Sequence, residues 1–179
     1  MRVEWRSFLL RPRPRPARDL EKFRAYTRSW LRPAAEPDSG TFRVWEGDAG
    51  PPSHSVPPHL VAKAAAQLGD GEFRRVHELL LRAYFAQNRD VTDEQTLRAL
   101  WREAGLPDEE FRRTEDPALL RETLRQHDEA LEVGATGVPA VRLADNSAVI
   151  VGAHPLELYQ RWVERTRSAR AAAAPPGDE

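Results

Sequence analysis

Hydrophobic positions in the middle of the chain recur with the spacing of α-helices. From Pro58 onward, apolar residues return at steps of three and four, which places them on one face of a helix. Gly69, Asn88 and Gly105 follow successive apolar stretches and mark the ends of helices. Helices are therefore predicted over most of residues 58–133.

Two sequence signals mark where helices begin in this block. Thr92 and Gln95 fit the capping box Thr-x-x-Gln, in which the two side chains satisfy free N–H groups of the first turn. Asp116 followed by Pro117 supplies an N-cap and a first-turn proline for a helix that ends before Gly134. Helices are expected to begin at these two points.

The amino-terminal third is patterned differently from the middle. Residues 3–10 alternate in polarity and predict a short strand that is buried at one end. Residues 11–16 alternate Arg and Pro, and proline lacks the N–H donor that a ladder needs, so this stretch predicts an exposed polyproline-like connector. A helix is predicted over residues 19–31, and residues 33–58 are expected to be loop.

After Gly134 the period changes from helical to extended. Residues 140–144 and 148–151 predict two strands, and the intervening Asp145 and Asn146 predict a turn, so this region is expected to form a β-hairpin. His154 and Pro155 open a last predicted helix.

The carboxyl terminus loses this pattern. Beyond Ser168 the sequence becomes rich in Ala, Pro and acidic residues. Such a composition buries little apolar surface, so residues 171–179 are expected to be a disordered tail.

Length and composition indicate one globular domain. The chain has 179 residues, of which 40% are hydrophobic and 31% are charged, enough to bury a core without cross-links. Its apolar stretches are too short to cross a bilayer, so no membrane partner is expected. Arg2, Glu4 and Arg6 replace the long apolar run of a secretory signal. The expected location is cytoplasmic.

Charge is unevenly distributed along the chain. Residues 1–32 hold nine Arg and one Lys against three acidic residues, a balance of +7, and the formal net charge of -1 leaves -8 for the remainder. A net charge near zero argues against a nucleic-acid partner. The asymmetry fits either an anionic partner or docking of the amino-terminal segment on an acidic body, and the second interpretation is favoured.

The chain contains no cysteine and five histidines. Without thiols it has no disulfide, no thiolate zinc site and no thiol nucleophile. The histidines lack the spacing of metal ligands, so no metal or other cofactor is expected, and no catalytic residue is identified. His127 is in register with Leu120, Leu124 and Leu131 and is expected on the buried face of its helix, as a core histidine.

The order of strand, helical block, Gly-Val-Pro, hairpin and closing helix resembles the DsbA-like branch of the thioredoxin fold. The likeness runs over residues 3–165. It is carried by residues 5–10 (WRSFLL), 83–85 (AYF), 88–91 (NRDV), 134–139 (GATGVP) and 152–155 (GAHP). The resemblance implies an α/β, thioredoxin-like fold in one domain, residues 1–170, with a helical insertion at about residues 58–134.

The resemblance also implies a substrate-docking edge before the hairpin. In such proteins the bond between Val138 and Pro139 would be cis, which only an X-Pro amide allows at a cost of roughly 0.5–1 kcal/mol. Thr136, Gly137, Val138 and Pro139 would then bind an extended peptide or a small thiol. His59 could face the same groove, and an exposed histidine in the first turn of a helix explains it equally well. A homodimer is compatible with this family.

One part of the family pattern has no counterpart in the sequence. DsbA-like proteins begin with a strand followed by a helix that carries Cys-x-x-Cys or a serine-bearing variant at its amino terminus. Because residues 3–10 resemble the strand after that helix, the amino-terminal βα unit is expected to be missing. The start codon could be assigned too late, another chain could fill the slot, or residues 3–10 could slide into it, and the first is the most economical.

Three functions therefore stay open from the sequence. The first is a DsbA-family thiol/disulfide oxidoreductase whose chain is truncated or degenerate, and which is redox-inactive as written because exchange needs two sulfurs. The second is a glutathione-dependent isomerase or kappa-class transferase of the same fold. The third is a non-catalytic peptide-binding module. Upstream DNA encoding Cys-x-x-Cys, a serine-bearing unit or an immediate stop would favour the first, second or third.

Overall fold

A computed structural model describes residues 3–15, 19–37, 39–48, 50–144 and 146–173. The chain divides into two compact units, Met1–Gln126 and His127–Glu179, which are described separately below. No helix among these described residues is long and apolar enough to span a membrane. Pro16 of the Arg-Pro stretch, Asp145 of the predicted turn and residues 174–179 of the predicted tail lie outside the described residues.

The predicted amino-terminal strand is wrong. Residues 3–10 belong to no helix or strand, because a strand requires a neighbouring strand for its backbone hydrogen bonds, and no ladder partner lies beside this segment in the described part of the chain. The prediction that one end is buried is confirmed: Ser7 and Leu9 are 5% and 2% exposed, whereas Val3 and Trp5 are 61% and 59% exposed.

A glutamine side chain holds this extended segment on the first unit. The Oε1 atom of Gln126 accepts hydrogen bonds from the Ser7 backbone N–H at 2.9 Å and from Lys63 Nζ at 2.9 Å. Its Nε2 atom donates to Glu122 at 2.7 Å. Burial lowers the pKa of the Lys63 amine, and the Glu122 carboxylate opposes that shift. Gln126 therefore satisfies a backbone donor and a half-buried ammonium group at once.

An aromatic cluster follows in the first unit. Helix α1 (Leu20–Thr27) begins at the N-cap Asp19 and continues through a 3-10 turn (Arg28–Trp30) into α2 (Leu31–Ala34), close to the predicted helix. Thr27, fully buried, donates to Arg24 O and accepts from the Trp45 backbone N–H, both at 2.9 Å. The cluster comprises Phe23, Trp30 and Trp45, with Leu20, Phe42, Tyr84 and Phe85 packed around them.

The predicted helical block forms the main core of the first unit. Its elements are α3 (Val56–Ala66), α4 (Asp70–Phe85), α5 (Glu94–Glu103), a 3-10 helix (Asp108–Glu115) and α6 (Pro117–Glu132). Leu100 and Trp101 are fully buried there, and Trp101 Nε1 donates to Pro107 O at 2.8 Å. The indole thus buries its ring while its one polar group keeps a partner.

Two details of the helical block differ from the prediction. The N-cap of α5 is Asp93, whose carboxylate accepts from Thr96 N at 2.8 Å, while the Thr92 hydroxyl donates to Asp90. The Thr92–Gln95 capping box is therefore wrong by one residue. Asp116 does cap α6 as predicted, accepting from Ala118 N at 2.8 Å.

The buried face of α6 also differs from the prediction. Leu119, Thr123 and Gln126 are its buried residues. Leu120 and Leu124 are each 39% exposed and Leu131 is 50% exposed, so the face predicted to be buried is largely exposed, and His127 is half-buried and not a core residue. Thr123 and Gln126 can be buried because their polar groups form hydrogen bonds. The Thr123 hydroxyl donates to Leu119 O, and Gln126 Oε1 accepts from the Ser7 N–H.

The second unit contains a hairpin and a helix. Strands β1 (Ala140–Arg142) and β2 (Val149–Val151) pair antiparallel, as predicted but shorter, and the Val138–Pro139 peptide bond is cis. Helix α7 (Leu156–Ala173) continues into the segment expected to be tail. Among the described residues of this unit Ala135 is the only fully buried hydrophobic residue.

We expect Tyr84 to make the first unit sensitive to alkaline pH. Burial among the aromatic rings raises its pKa to about 12, from 10.0. The folded state therefore retains a proton that the unfolded state loses, so the free energy of unfolding falls as pH rises from about 10 to 12, by up to about 3 kcal/mol. Denaturant unfolding at several pH values should show this slope in the wild type and a smaller one in Tyr84→Phe. Equal slopes in the wild type and Tyr84→Phe would contradict this assignment.

We expect Gln126→Met to lower the free energy of unfolding by about 1–3 kcal/mol, because the Ser7 N–H and the Lys63 ammonium would lose their common acceptor. Chemical denaturation at neutral pH measures the change. Gln67→Met is the matched control, since Gln67 is exposed and its Oε1 is 3.4 Å from Arg113 Nη1; we expect a change below about 0.5 kcal/mol. Equal losses in the two variants would show that the Gln126 bonds do not stabilise the fold.

Candidate functional site

The loop before the hairpin contains the four residues that the sequence assigns to substrate docking, Thr136, Gly137, Val138 and Pro139. We call residues 136–139 the docking loop. Ala135 anchors its start, since it is 3% exposed and its N–H donates to Ala130 O at 2.9 Å. Thr136, Val138 and Pro139 are exposed, Val138 by 50%, and Gly137 is half-buried. The start of the loop is thus held by a backbone hydrogen bond, and most of the residues that follow are exposed to solvent.

The register of the hairpin determines which backbone groups of β1 face outward. Ala140 pairs with Val151 and Arg142 with Val149, and Gly152 N donates to Pro139 O at 2.8 Å. Hydrogen-bonded positions alternate along an antiparallel ladder, so the N–H and C=O groups of Ala140 and Arg142 point away from β2. Both residues are exposed, and no other strand in the described part of the chain pairs with β1.

A short set of hydrogen bonds joins the hairpin to helix α7. Tyr159 Oη donates to Gly152 O at 3.0 Å, and His154 Nε2 donates to Val151 O at 3.1 Å. Gly152 has a φ of 93°, a conformation that side-chain-bearing residues rarely adopt. These bonds fix the end of β2 against α7, and the pairing of β1 with β2 then holds the docking loop.

His59, the fifth residue assigned to the site, lies in α3 of the first unit. Its Nδ1 donates to the backbone oxygen of Ser55, the N-cap residue of α3, at 2.7 Å. Ser55 in turn binds the Arg-Pro segment, because Ser55 N donates to Arg11 O at 2.8 Å and Arg11 N donates to Ser55 Oγ at 3.0 Å. These contacts give His59 a role at the start of α3.

Sequence reasoning missed a serine and histidine pair in the first unit. Ser53 Oγ lies 2.8 Å from His54 Nδ1, within the range for proton transfer. Burial lowers the pKa of His54, and the Asp90 charge opposes the shift. The Asp90 carboxylate accepts from Thr92 N and Oγ1 at 2.8 and 2.7 Å. Among the described residues no carboxylate accepts a hydrogen bond from His54, so these residues do not form a triad.

The described residues contain no cluster of three His, Asp or Glu side chains that could hold a metal ion. The docking loop and β1 offer backbone donors and acceptors, the exposed apolar side chains of Val138 and Pro139, and the exposed polar side chains of Thr136 and Arg142. Such a surface can bind an extended chain.

Comparison with known proteins identifies a matching family and two similar solved structures. Residues 1–164 match the family model of the DSBA-like thioredoxin domain. No match was found among curated proteins. A crystal structure of a "putative protein disulfide isomerase" from Nitrosomonas europaea is similar, with a TM-score of 0.68 and 17% identity over 84% of this chain and 78% of that one.

A second similar structure is the cytosolic disulfide reductase DsbM from Pseudomonas aeruginosa. Its TM-score is 0.65, with 20% identity over 92% of this chain and 82% of that one. At these identities the likeness concerns the fold, and it agrees with the α/β, thioredoxin-like class predicted from the sequence. On the family match over residues 1–164, this chain belongs to the DSBA-like thioredoxin domain family.

Proposed function

We propose that this chain binds extended polypeptide segments at the docking loop and β1, and that it carries out no thiol–disulfide exchange with its own side chains. The observation that carries the second part is the complete absence of cysteine. Exchange proceeds by attack of a thiolate on a disulfide, so a chain without sulfur nucleophiles has no means of performing it.

The outward edge of β1 supports the first part of the proposal. An extended peptide laid beside Ala140 and Arg142 would receive backbone hydrogen bonds in the same pattern that β2 provides on the other side. Thr136, Gly137, Val138 and Pro139 would contact its side chains, and Val138 offers the exposed apolar surface. His59 is already engaged with Ser55 O, and peptide binding at the loop does not depend on it.

Family membership supports the remaining parts of the proposal. We assign residues 1–170 to one thioredoxin-like domain with a helical insertion at about residues 58–134, consistent with the family match over residues 1–164. The cytosolic location of the similar reductase favours a cytoplasmic location for this chain. An extended peptide is preferred to a small thiol as the substrate because the edge of β1 offers repeated backbone groups along one line.

Binding of an unfolded protein tests the docking edge without redox chemistry. Reduced, carboxymethylated α-lactalbumin is a suitable probe, since it is unfolded and its thiols are blocked. We expect Val138→Asp to weaken its binding by about tenfold, equal to about 1.4 kcal/mol, because a charge would have to be desolvated at the edge. Val133→Asp is the matched control: Val133 is also exposed, by 37%, but precedes the docking loop. No binding to the wild type, or equal weakening by both substitutions, would refute docking at this edge.

Reduction of insulin by dithiothreitol tests the redox part. We expect the rate with this chain to equal the uncatalysed rate, because no mixed disulfide can form on it. Catalysed reduction would contradict the proposal.

The absence of cysteine is compatible with one second candidate function. A glutathione-dependent enzyme uses the thiol of bound glutathione and needs no protein cysteine. Saturable binding of glutathione, measured by calorimetry, would support that candidate over a peptide-binding module, and it would leave the insulin result unchanged.

A further inference from the structure

A groove on the second unit lies between the hairpin and the last helix. Its volume is about 390 Å³, and its lining residues are Ile150 of β2 and Leu158, Arg161, Trp162 and Arg165 of α7. We call it the α7 groove. Volumes of about 300–1,000 Å³ are typical of sites for small molecules, so the groove has room for one.

The side of the groove formed by α7 carries both apolar and basic side chains on one face of the helix. Leu158, Arg161, Trp162 and Arg165 stand at positions i, i+3, i+4 and i+7, which lie along one side of a helix. A face that only packs against a hairpin is expected to be apolar throughout. Here two of the four positions carry guanidinium groups, beside a half-buried leucine and a half-buried tryptophan.

The two guanidinium groups have little to neutralise them. Arg161 Nε donates to Glu157 O, a carbonyl of its own helix, at 3.3 Å. Neither Arg161 nor Arg165 forms an ion pair within the described part of the chain, although Arg24, Arg75 and Arg98 do so with neighbouring carboxylates. The groove therefore presents two guanidinium groups without an ion-pair partner beside an apolar floor, although Glu157 and Glu164 lie on the same helix.

We propose that the α7 groove binds a small organic anion with an apolar body. The apolar part would cover Ile150, Leu158 and Trp162, and a carboxylate would lie at Arg161 and Arg165, whose planar forks suit paired carboxylate oxygens. Charge complementarity selects this occupant, since a neutral apolar molecule would leave the arginines unpaired and a simple anion would leave the apolar floor uncovered. This site is distinct in its residues from the docking loop and does not rest on peptide binding there.

Three probe molecules test separately whether binding requires an apolar body and whether it requires a carboxylate. Octanoate has an apolar body and a carboxylate, octan-1-ol has the body alone and acetate has the charge alone. In nitrogen-proton correlation spectra of the full chain, we expect octanoate to shift the backbone signals of Ile150 and Leu158 and the indole signal of Trp162. Octan-1-ol and acetate should bind more weakly, by about fivefold or more. Equal binding of octanoate and octan-1-ol, no shifts with octanoate, or shifts confined to other residues would each overturn the proposal.

A pair of arginine substitutions on α7 tests the role of the charge. Arg165→Gln should weaken octanoate binding about two- to fivefold, the change typical of an exposed ion pair. Arg167→Gln is the matched control, because Arg167 is exposed on the same helix but does not line the groove. Both changes replace a solvent-exposed side chain, and the same spectra report whether each variant keeps its fold. Equal effects of the two substitutions would overturn the role of Arg165.

Discussion

The ladder between β1 and β2 is the interaction on which the second unit depends. Two-stranded ladders are only marginally stable alone, and here the ladder is extended by the bond from Gly152 N to Pro139 O and by Tyr159, which donates to Gly152 O. Because β2 occupies one side of β1, the other side of β1 is left to offer backbone groups outward. The docking loop and the β1 edge follow from that single pairing.

Burial differs between the two units, and this difference explains where binding surfaces occur. In the first unit Trp45, Leu100 and Trp101 are fully buried, and the Trp45 backbone N–H and Trp101 Nε1 both donate hydrogen bonds. In the second unit the apolar residues of the hairpin and α7 are half-buried or exposed. A surface of half-buried apolar groups next to charged ones can bind a ligand at low cost, because little has to rearrange to expose it.

The sequence predicts most helices and the hairpin because their signals are local. Apolar spacing at three and four residues locates α3 to α6, and the change to alternation after Gly134 locates the hairpin.

The wrong predictions concern places where the sequence offers two alternatives of similar local stability. Thr92 and Asp93 are both good N-caps, and α6 has leucines on both of its sides, so only tertiary contacts decide which are used. Gln126 is buried because it meets Ser7, which is 119 positions away in the chain. The α7 groove was missed because Ile150 of β2 lines it together with α7 only in the folded hairpin, and the Ser53–His54 contact was missed because adjacency along the chain does not indicate a side-chain hydrogen bond.

The proposed docking edge does not require a thiol in this chain. Disulfide exchange requires both a sulfur nucleophile and a surface that holds the substrate beside it, and these requirements are met by different atoms. The first rests on cysteine side chains, and this sequence has none. The second rests on backbone groups of β1, which depend on the pairing with β2 and on no thiol. Binding can therefore persist where exchange cannot, and an activity that needs sulfur must obtain it from the substrate, from a small thiol or from another polypeptide.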